Sequence, residues 1–480
     1  MKQKNPSFFL AFVPILVLIL FLSINVLYYG EDATYGPNQI ALLLSGMAAV
    51  LVGLKLGFKW KELQKGIVDS INSALPAIII LLLIGALAGT WMMSGIVPTM
   101  IYYGLEILNP TIFLVAACVV SAIIALATGS SWTTVATVGV ALIGIGTALG
   151  MSQGMVAGAI ISGAYFGDKM SPLSDTTNLA PAMAGTDLVT HIRYMSLTTV
   201  PSILITLVIF LILGFFVETK PSDEGVGNML TAIEATYNIS PLLFVVPGIV
   251  VLLIVKKMPA IPALFIGTLL GVVAAIIFQP EIVKEISGET GSYFKASYMA
   301  AINSMSYETA VQSGFENVDK LVKTKGMNGM LNTIWLIVCA MCFGGVMEAA
   351  GLLQKITRSI VVFAKSTGSL IATTAGTCIF FNATASDQYL AIVVPGKMFE
   401  DIYPERGLKP ENLSRTLEDA GTVTSVLFPW NTCGAAQSSV LSVATGEYWI
   451  YCFFNLISPV MTVLFGYLNI RIARTDKKEN

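Results

Sequence analysis

The chain has 480 residues, of which 55% are hydrophobic and only 12% charged. Soluble domains carry about 25% charged residues, so this composition excludes a string of water-soluble domains and points to a polytopic membrane protein. Its 27 basic and 29 acidic residues leave a net charge of −2, which excludes a nucleic-acid-binding surface as the main activity.

Lys2 and Lys4 precede an apolar run over 8–29. That run outlasts the core of a cleavable signal, about 7–15 residues, and ends in Asn25–Tyr29 without a small-residue cleavage site, so we expect a retained transmembrane helix. Further apolar segments fall at 38–58, 74–94, 110–128, 132–149, 153–167, 192–217, 239–255, 260–279, 330–350, 367–382, 388–396 and 447–470. Several are short or broken, which leaves the number of crossings open. Basic residues orient them: Lys55, Lys59, Lys61 and Lys65 follow the second segment, Lys256, Lys257, Lys355, Arg358 and Lys365 mark later turns, and Arg471, Arg474, Lys477 and Lys478 close the chain. This bias predicts that both termini are cytoplasmic and the number of crossings even. The 280–327 loop then lies outside and is expected to be partly ordered at best. Cys339 and Cys342 form a C-x-x-C with no histidine or second pair nearby, and are expected to be small buried apolar groups.

Residues 126–139 (LATGSSWTTVATVG) and 382–395 (NATASDQYLAIVVP) match at a shift of 256, which also pairs Gly95 with Gly351, Asp175 with Asn431 and Thr176 with Thr432. Segment 74–94 leaves a basic turn, whereas 330–350 runs toward one, so the two copies enter the membrane from opposite sides. The pattern is that of inverted repeats, whose substrate site lies mid-membrane where broken helices meet. We therefore expect an all-α polytopic membrane protein with broken helices or re-entrant hairpins. Its parts are two N-terminal helices (1–73), repeat 1 (74–217), two linking helices and an external loop (218–327), repeat 2 (328–470) and a cytoplasmic tail (471–480).

Between 74 and 167 the one charged residue is Glu106; then Asp168, Lys169, Asp175, Asp187, His191 and Arg193 follow within 26 residues. The polar run GDKMSPLSDTTN (167–178) is flanked by helix-grade apolar sequence. Pro172 forces a break, and a break in hydrocarbon is tolerated only where it lines a cavity or is buried in protein. Ser171, Ser174, Asp175, Thr176 and Asn178 then supply oxygens that suit a small hard cation. A solvated loop would share this composition, and Asp168 with Lys169 would suit its edge. The second copy offers Asn382, Thr384, Ser386 and Asp387, and a carboxylate at membrane depth costs about 2.5–3.5 kcal/mol on insertion scales. Asp387 could instead cap a helix N-terminus. The first-copy tip, Thr128, Ser130 and Ser131, is neutral, and its hydroxyls could bond back within one helix. Asn431 and Thr432 break the second copy again after Pro429 and Trp430. Glu418 and Asp419 read as the wet end of a Ser/Thr-rich helix. Glu348 reads as interfacial, and His191 and Arg193 as interface anchors, with a substrate-facing role as the alternative. The chain contains no G-x-x-x-x-G-K-[ST], H-E-x-x-H or nucleophile elbow, so neither ATP-driven pumping nor an enzyme is indicated, and no cofactor is expected.

Residues 167–195 (GDKMSPLSDTTNLAPAMAGTDLVTHIRYM) resemble the NhaC family of sodium/proton antiporters, and ATGSSWTT (127–134) and NATASDQY (382–389) resemble its other polar tips. The resemblance covers about 74–470. It implies Na⁺ and H⁺ as transported ions, a bacterial inner-membrane location, a homodimer, and movement of a core against a scaffold. The family also includes malate/lactate-type exchangers, so a small organic anion stays open as a partner, held by helix N-termini with His191, Arg193 or Lys397 assisting. On this expectation Asp175 and Asp387 are the exchange carboxylates. Thr128, Ser130, Ser131, Ser171, Ser174, Thr176, Asn178, Asn382, Thr384, Ser386, Asn431 and Thr432 line the Na⁺ site, with Asp168, His191 and Arg193 accessory.

Overall fold

The computed structural model describes residues 5–107, 109–216, 223–315, 318–319, 322–361 and 364–475. Lys2, Lys4, Lys477, Lys478 and the side chain of Arg358 lie outside the described residues. Apolar chain must satisfy its own backbone in hydrocarbon, and among the described residues it does so with helices. Helices α1 (Phe8–Tyr29), α2 (Pro37–Lys55), α3 (Trp60–Met93) and α4 (Ile96–Ile107) lead into α5 (Pro110–Thr128), α6 (Ser131–Ala148), α7 (Gln153–Met170), α8 (Asp175–Ala184) and α9 (Leu188–Phe216). A linking section holds α10 (Asp223–Thr236), α11 (Val245–Val255), α12 (Ala260–Phe278), α13 (Pro280–Ser287) and α14 (Tyr293–Ser306). The chain continues with α15 (Leu331–Ala349), α16 (Leu352–Val361), α17 (Thr367–Thr384) and α18 (Leu390–Phe399). It ends with α19 (Pro410–Thr416, running on into the π turn Leu417–Thr422), α20 (Thr432–Leu441) and α21 (Phe453–Tyr467). Eight described helices are long and apolar enough to cross a membrane, or ten if two pairs bent by 84° and 53° each count as one span.

Two expectations are corrected here. The third helix begins at Trp60 rather than near 74, which places Lys61 and Lys65 on its first turns instead of in a loop. The 280–327 section is folded: α13 and α14 are followed by an antiparallel bridge between Thr309 and Thr324. Its anchor is close backbone packing, since a Cβ on Gly89 of α3 would sit 1.8 Å from the Ser304 carbonyl.

The glycine row of α7 is used on two sides. Gly154 and Gly158 face the backbone of Glu447 and Tyr451, while Gly163 and Gly167 face the Cys118 and Ala122 carbonyls of α5. Small residues let backbones approach, which is the usual source of helix association in lipid.

Local geometry repeats along the chain. Left-handed backbone recurs at Gly95 and Gly351, at Gly129 and Ser386, and at Gly185 and Ser442. Helix N-caps recur at Ser130 and Asp387, which bond the amides of Thr133 and Leu390, and at Ser174 and Asn431. The first pair is separated by 256 residues and the others by 257, so one extra residue lies between Gly351 and Ser386. In this register the counterpart of Asp175 is Thr432, and that of Asn431 is Ser174.

Gly163→Ala should lower the melting temperature of the detergent-purified protein, an overpacking cost of about 1–3 kcal/mol, because its Cβ would lie 1.9 Å from the Cys118 carbonyl. Gly376→Ala, with nothing within 4 Å, should leave it unchanged.

Candidate functional site

Four helix breaks meet in the interior. The α5–α6 break at Gly129 lies against Leu173 and Ser174 in the α7–α8 break, where a Cβ on Gly129 would come within 2.7 Å of Leu173. The α17–α18 break meets the break before α20, where the Thr432 amide donates to the Ser386 carbonyl at 3.0 Å. Pairing breaks in this way satisfies backbone groups that water cannot reach.

Charge collects beside the first pair of breaks. Asp168, 7% exposed, accepts from the Ser131 amide (2.9 Å) and hydroxyl (2.7 Å) at the N-terminus of α6. The Ser174 hydroxyl lies beside the same carboxylate and contacts the Thr176 hydroxyl at 3.1 Å. Thr176 in turn donates to Glu418 Oε1 at 3.1 Å. Two buried carboxylates on facing helices, Asp168 and Glu418, are thus linked through two hydroxyls. Glu418 is fully buried, and its second oxygen has no partner among the described residues. The next residue on each helix completes the arrangement: Lys169 and Asp419, both fully buried, form an ion pair. Ser458 bonds both partners and Thr198 donates to Asp419 Oδ2 at 2.8 Å. With every group ionised, three carboxylates and one ammonium would leave two negative charges in a low-dielectric interior, which strongly favours uptake of a cation or a proton.

Several expectations are corrected. Asp168 and Lys169 are not a loop-edge pair but consecutive buried residues of α7, and Glu418 and Asp419 are not a wet helix end. His191 and Arg193 part company: His191 is buried with Nδ1 against Ser414 Oγ (2.9 Å), whereas Arg193 is exposed. Asp175 is exposed on the first turn of α8, and Asn178 is exposed with its amide bonded to the Ser174 and Pro172 carbonyls.

The remaining candidates divide by what they touch. Ser131, Ser174 and Thr176 reach the carboxylate pair, and Ser130, capping α6, stands next to them. Thr128 faces Thr134 at 3.4 Å. Ser171 bonds the Leu173 amide, and Thr384 bonds back to the Phe380 carbonyl. Asn382 donates to the Gly421 carbonyl in the π turn (2.6 Å) and to Thr424, and accepts from Asn431; these amides stitch α17, α19 and α20 together. The Ser386 hydroxyl is buried without a partner among the described residues.

Asp387 is 3% exposed and caps α18 through the Leu390 amide at 3.0 Å. It is near the first site without contacting it: Tyr389 has Asp175, Asp387 and Asp168 as charged neighbours. Sequence reasoning missed Glu418, Lys169 and Asp419 as a group. The signal was present, because the shift of 256 maps Glu418 and Asp419 onto Ser162 and Gly163, in the middle of an apolar segment.

An all-helical chain with paired breaks around buried charge is a polytopic membrane transporter. The sequence model of the Na⁺/H⁺ antiporter family matches residues 163–470. A Na⁺/H⁺ antiporter NhaC of Alkalihalophilus pseudofirmus is 38% identical over 480 residues, covering all of this chain and 99% of the relative. A malate-2H⁺/Na⁺-lactate antiporter of Bacillus subtilis is 35% identical over 90% of this chain and 89% of its own length. An arginine/ornithine antiporter ArcD of Halobacterium salinarum is 35% identical over all of this chain and 95% of its own. The chain belongs to the Na⁺/H⁺ antiporter family.

Lys169→Met should destabilise the protein by about 3–5 kcal/mol, since it strands Asp419 as an unpaired buried charge. Lys169→Met with Asp419→Leu should recover most of that loss in detergent melting curves, because the charge is then gone altogether.

Proposed function

We propose that this chain is a secondary active antiporter that exchanges Na⁺ for H⁺ across the bacterial inner membrane. The observation that carries the proposal is the hydroxyl-linked pair Asp168–Glu418. Buried carboxylates bind a proton or a desolvated cation but resist standing empty, because an isolated charge in low dielectric is expensive. Na⁺ and H⁺ therefore compete for one place, and competition for one place is what couples their movements. Ser131, Ser174 and Thr176 supply neutral oxygens, which suit Na⁺. Asp387 is a second exchangeable carboxylate at the tip of the other half. Asp175, exposed nearby, attracts cations toward the site, since the desolvation argument does not apply to it.

The repeated caps and left-handed residues support reading 74–217 and 328–470 as inverted repeats, with 1–73 and 218–327 as scaffold and linker and 471–480 as a tail. Exchange then proceeds by presenting the breaks alternately to each side. Both termini lie in the cytoplasm, and the protein works as a homodimer; crosslinking in native membranes tests the latter.

In liposomes with an internal pH dye and an imposed proton gradient, NaCl alone should drive proton movement. Asp168→Asn and Glu418→Gln should each reduce it at least about a hundredfold, the scale on which loss of a buried charge-assisted contact acts (about 2–5 kcal/mol). Unchanged exchange in both variants, with intact protein in the bilayer, sinks the assignment. A response only when malate or lactate accompanies Na⁺ favours organic-anion coupling, the second reading. That reading rests on the buried guanidinium of Arg415, which lies between Tyr194 and Phe465 and has no hydrogen bond among the described residues.

A green fluorescent protein fused to the C-terminus should fluoresce and an alkaline phosphatase fused there should be inactive, as basic residues retained in the cytoplasm require. The reverse pattern overturns the orientation.

A further inference from the structure

A cavity of about 600 Å³ opens between α15, α16 and α18, and neither Asp168 nor Glu418 lines it. That volume falls within the range of small-molecule sites, about 300–1,000 Å³. Three polar side chains line it: Glu348 near the end of α15, Gln354 on α16 and Lys397 on α18. None of the three carries a hydrogen bond or ion pair among the described residues, and Gln354 Oε1 is buried without a partner. Glu348 and Lys397 both face the cavity yet do not bond each other. Asp69 and Asp387 add negative potential on the Glu348 side, with Lys397 as its charged neighbour of opposite sign. The rest of the wall is apolar, including Val393, Met398 and Ile402.

A cavity that offers a carboxylate, an amide carbonyl, an ammonium and aliphatic walls complements one ligand class. We propose that it binds a small zwitterion with an aliphatic side chain, of the amino-acid type. The ligand's ammonium meets Glu348 and Gln354, its carboxylate meets Lys397, and its side chain lies on the valine and methionine wall. Such a ligand makes charge-assisted hydrogen bonds at both ends, stronger than either end alone provides. A bare cation leaves Lys397 unmatched, and a dianion meets the repulsion of Glu348. Because the cavity joins α15 and α16 to α18, occupancy ties the helix bearing Asp387's cap to its neighbours.

Titration calorimetry of the full-length protein in detergent tests this with L-leucine, isoamylamine (no carboxylate) and 4-methylpentanoate (no ammonium). Leucine should bind at least about tenfold more tightly than either analogue, the scale of one charge-assisted contact. Glu348→Gln should reduce leucine binding toward that of 4-methylpentanoate, and Lys397→Gln toward that of isoamylamine. Val393→Trp, which fills the cavity and alters no charge, should abolish it, and size-exclusion profiles matching the parent establish that each variant is folded. No heat with leucine, equal affinity for isoamylamine, or leucine binding unmoved by all three substitutions overturns the proposal. The measurement involves no transport, so its outcome is independent of whether the chain exchanges Na⁺ for H⁺.

Discussion

Asp168–Lys169 and Glu418–Asp419 are consecutive pairs on two facing helices, and the need to hold three carboxylates and one ammonium out of water constrains everything around them. One ion pair, Lys169–Asp419, is closed and hydrogen-bonded on both sides by Ser458 and Thr198. The other two carboxylates have only hydroxyls and a helix N-terminus for company. A buried carboxylate left ionised and unmatched would cost several kcal/mol, so each open carboxylate favours a proton or a cation beside it. The closed pair fixes how α7 and α19 face each other, and the open pair is held within that fixed geometry.

The breaks follow from the same constraint. A continuous helix would meet Asp168 with side chains alone, whereas a broken one also presents the free N–H groups of its first turn. The α6 N-terminus does this, placing the Ser131 amide on Asp168. Each break exposes backbone that hydrocarbon cannot tolerate, and the two pairs of breaks resolve this by lying against each other. The π turn at Leu417–Thr422 belongs to the same economy: it releases the Gly421 carbonyl to Asn382 while setting Glu418 and Asp419 on the inner face.

Much of this was legible in the residues, in ways that differ from one feature to the next. Composition and the run 167–178 were enough for the fold class and the first break. A shift of 256 aligns Gly95 with Gly351, and the caps and left-handed residues beyond them align at 257, an offset that sparse identities do not reveal. Asp175 was singled out on its match with Asn431; with Ser174 and Asn431 as the matched caps, that match dissolves, and Asp175 turns out to be exposed. Glu418 and Asp419 looked wet because hydroxyl-rich sequence around a carboxylate is ambiguous between solvent and a polar interior. The repeat could have resolved it, since a helix equivalent to α7 has its middle at membrane depth. The 280–327 section looked loose because its order comes from distant glycine contacts on α3 that no local pattern encodes.

The two halves share geometry but not charge, and that difference carries mechanistic weight. In the first half the tip residue Ser131 bonds Asp168; in the second, 257 residues on, Ser425 donates to Gln388 at 3.1 Å. The same bridge between tip and crossing helix is built once with a carboxylate and once with an amide. A carboxylate in both bridges would add a fourth buried carboxylate to the three that already share one lysine. The geometry of the bridge is shared between the halves, and its charge is not. Because Asp168 can ionise and the Ser425–Gln388 contact is built from neutral side chains, only the first bridge changes its charge when it takes up a proton.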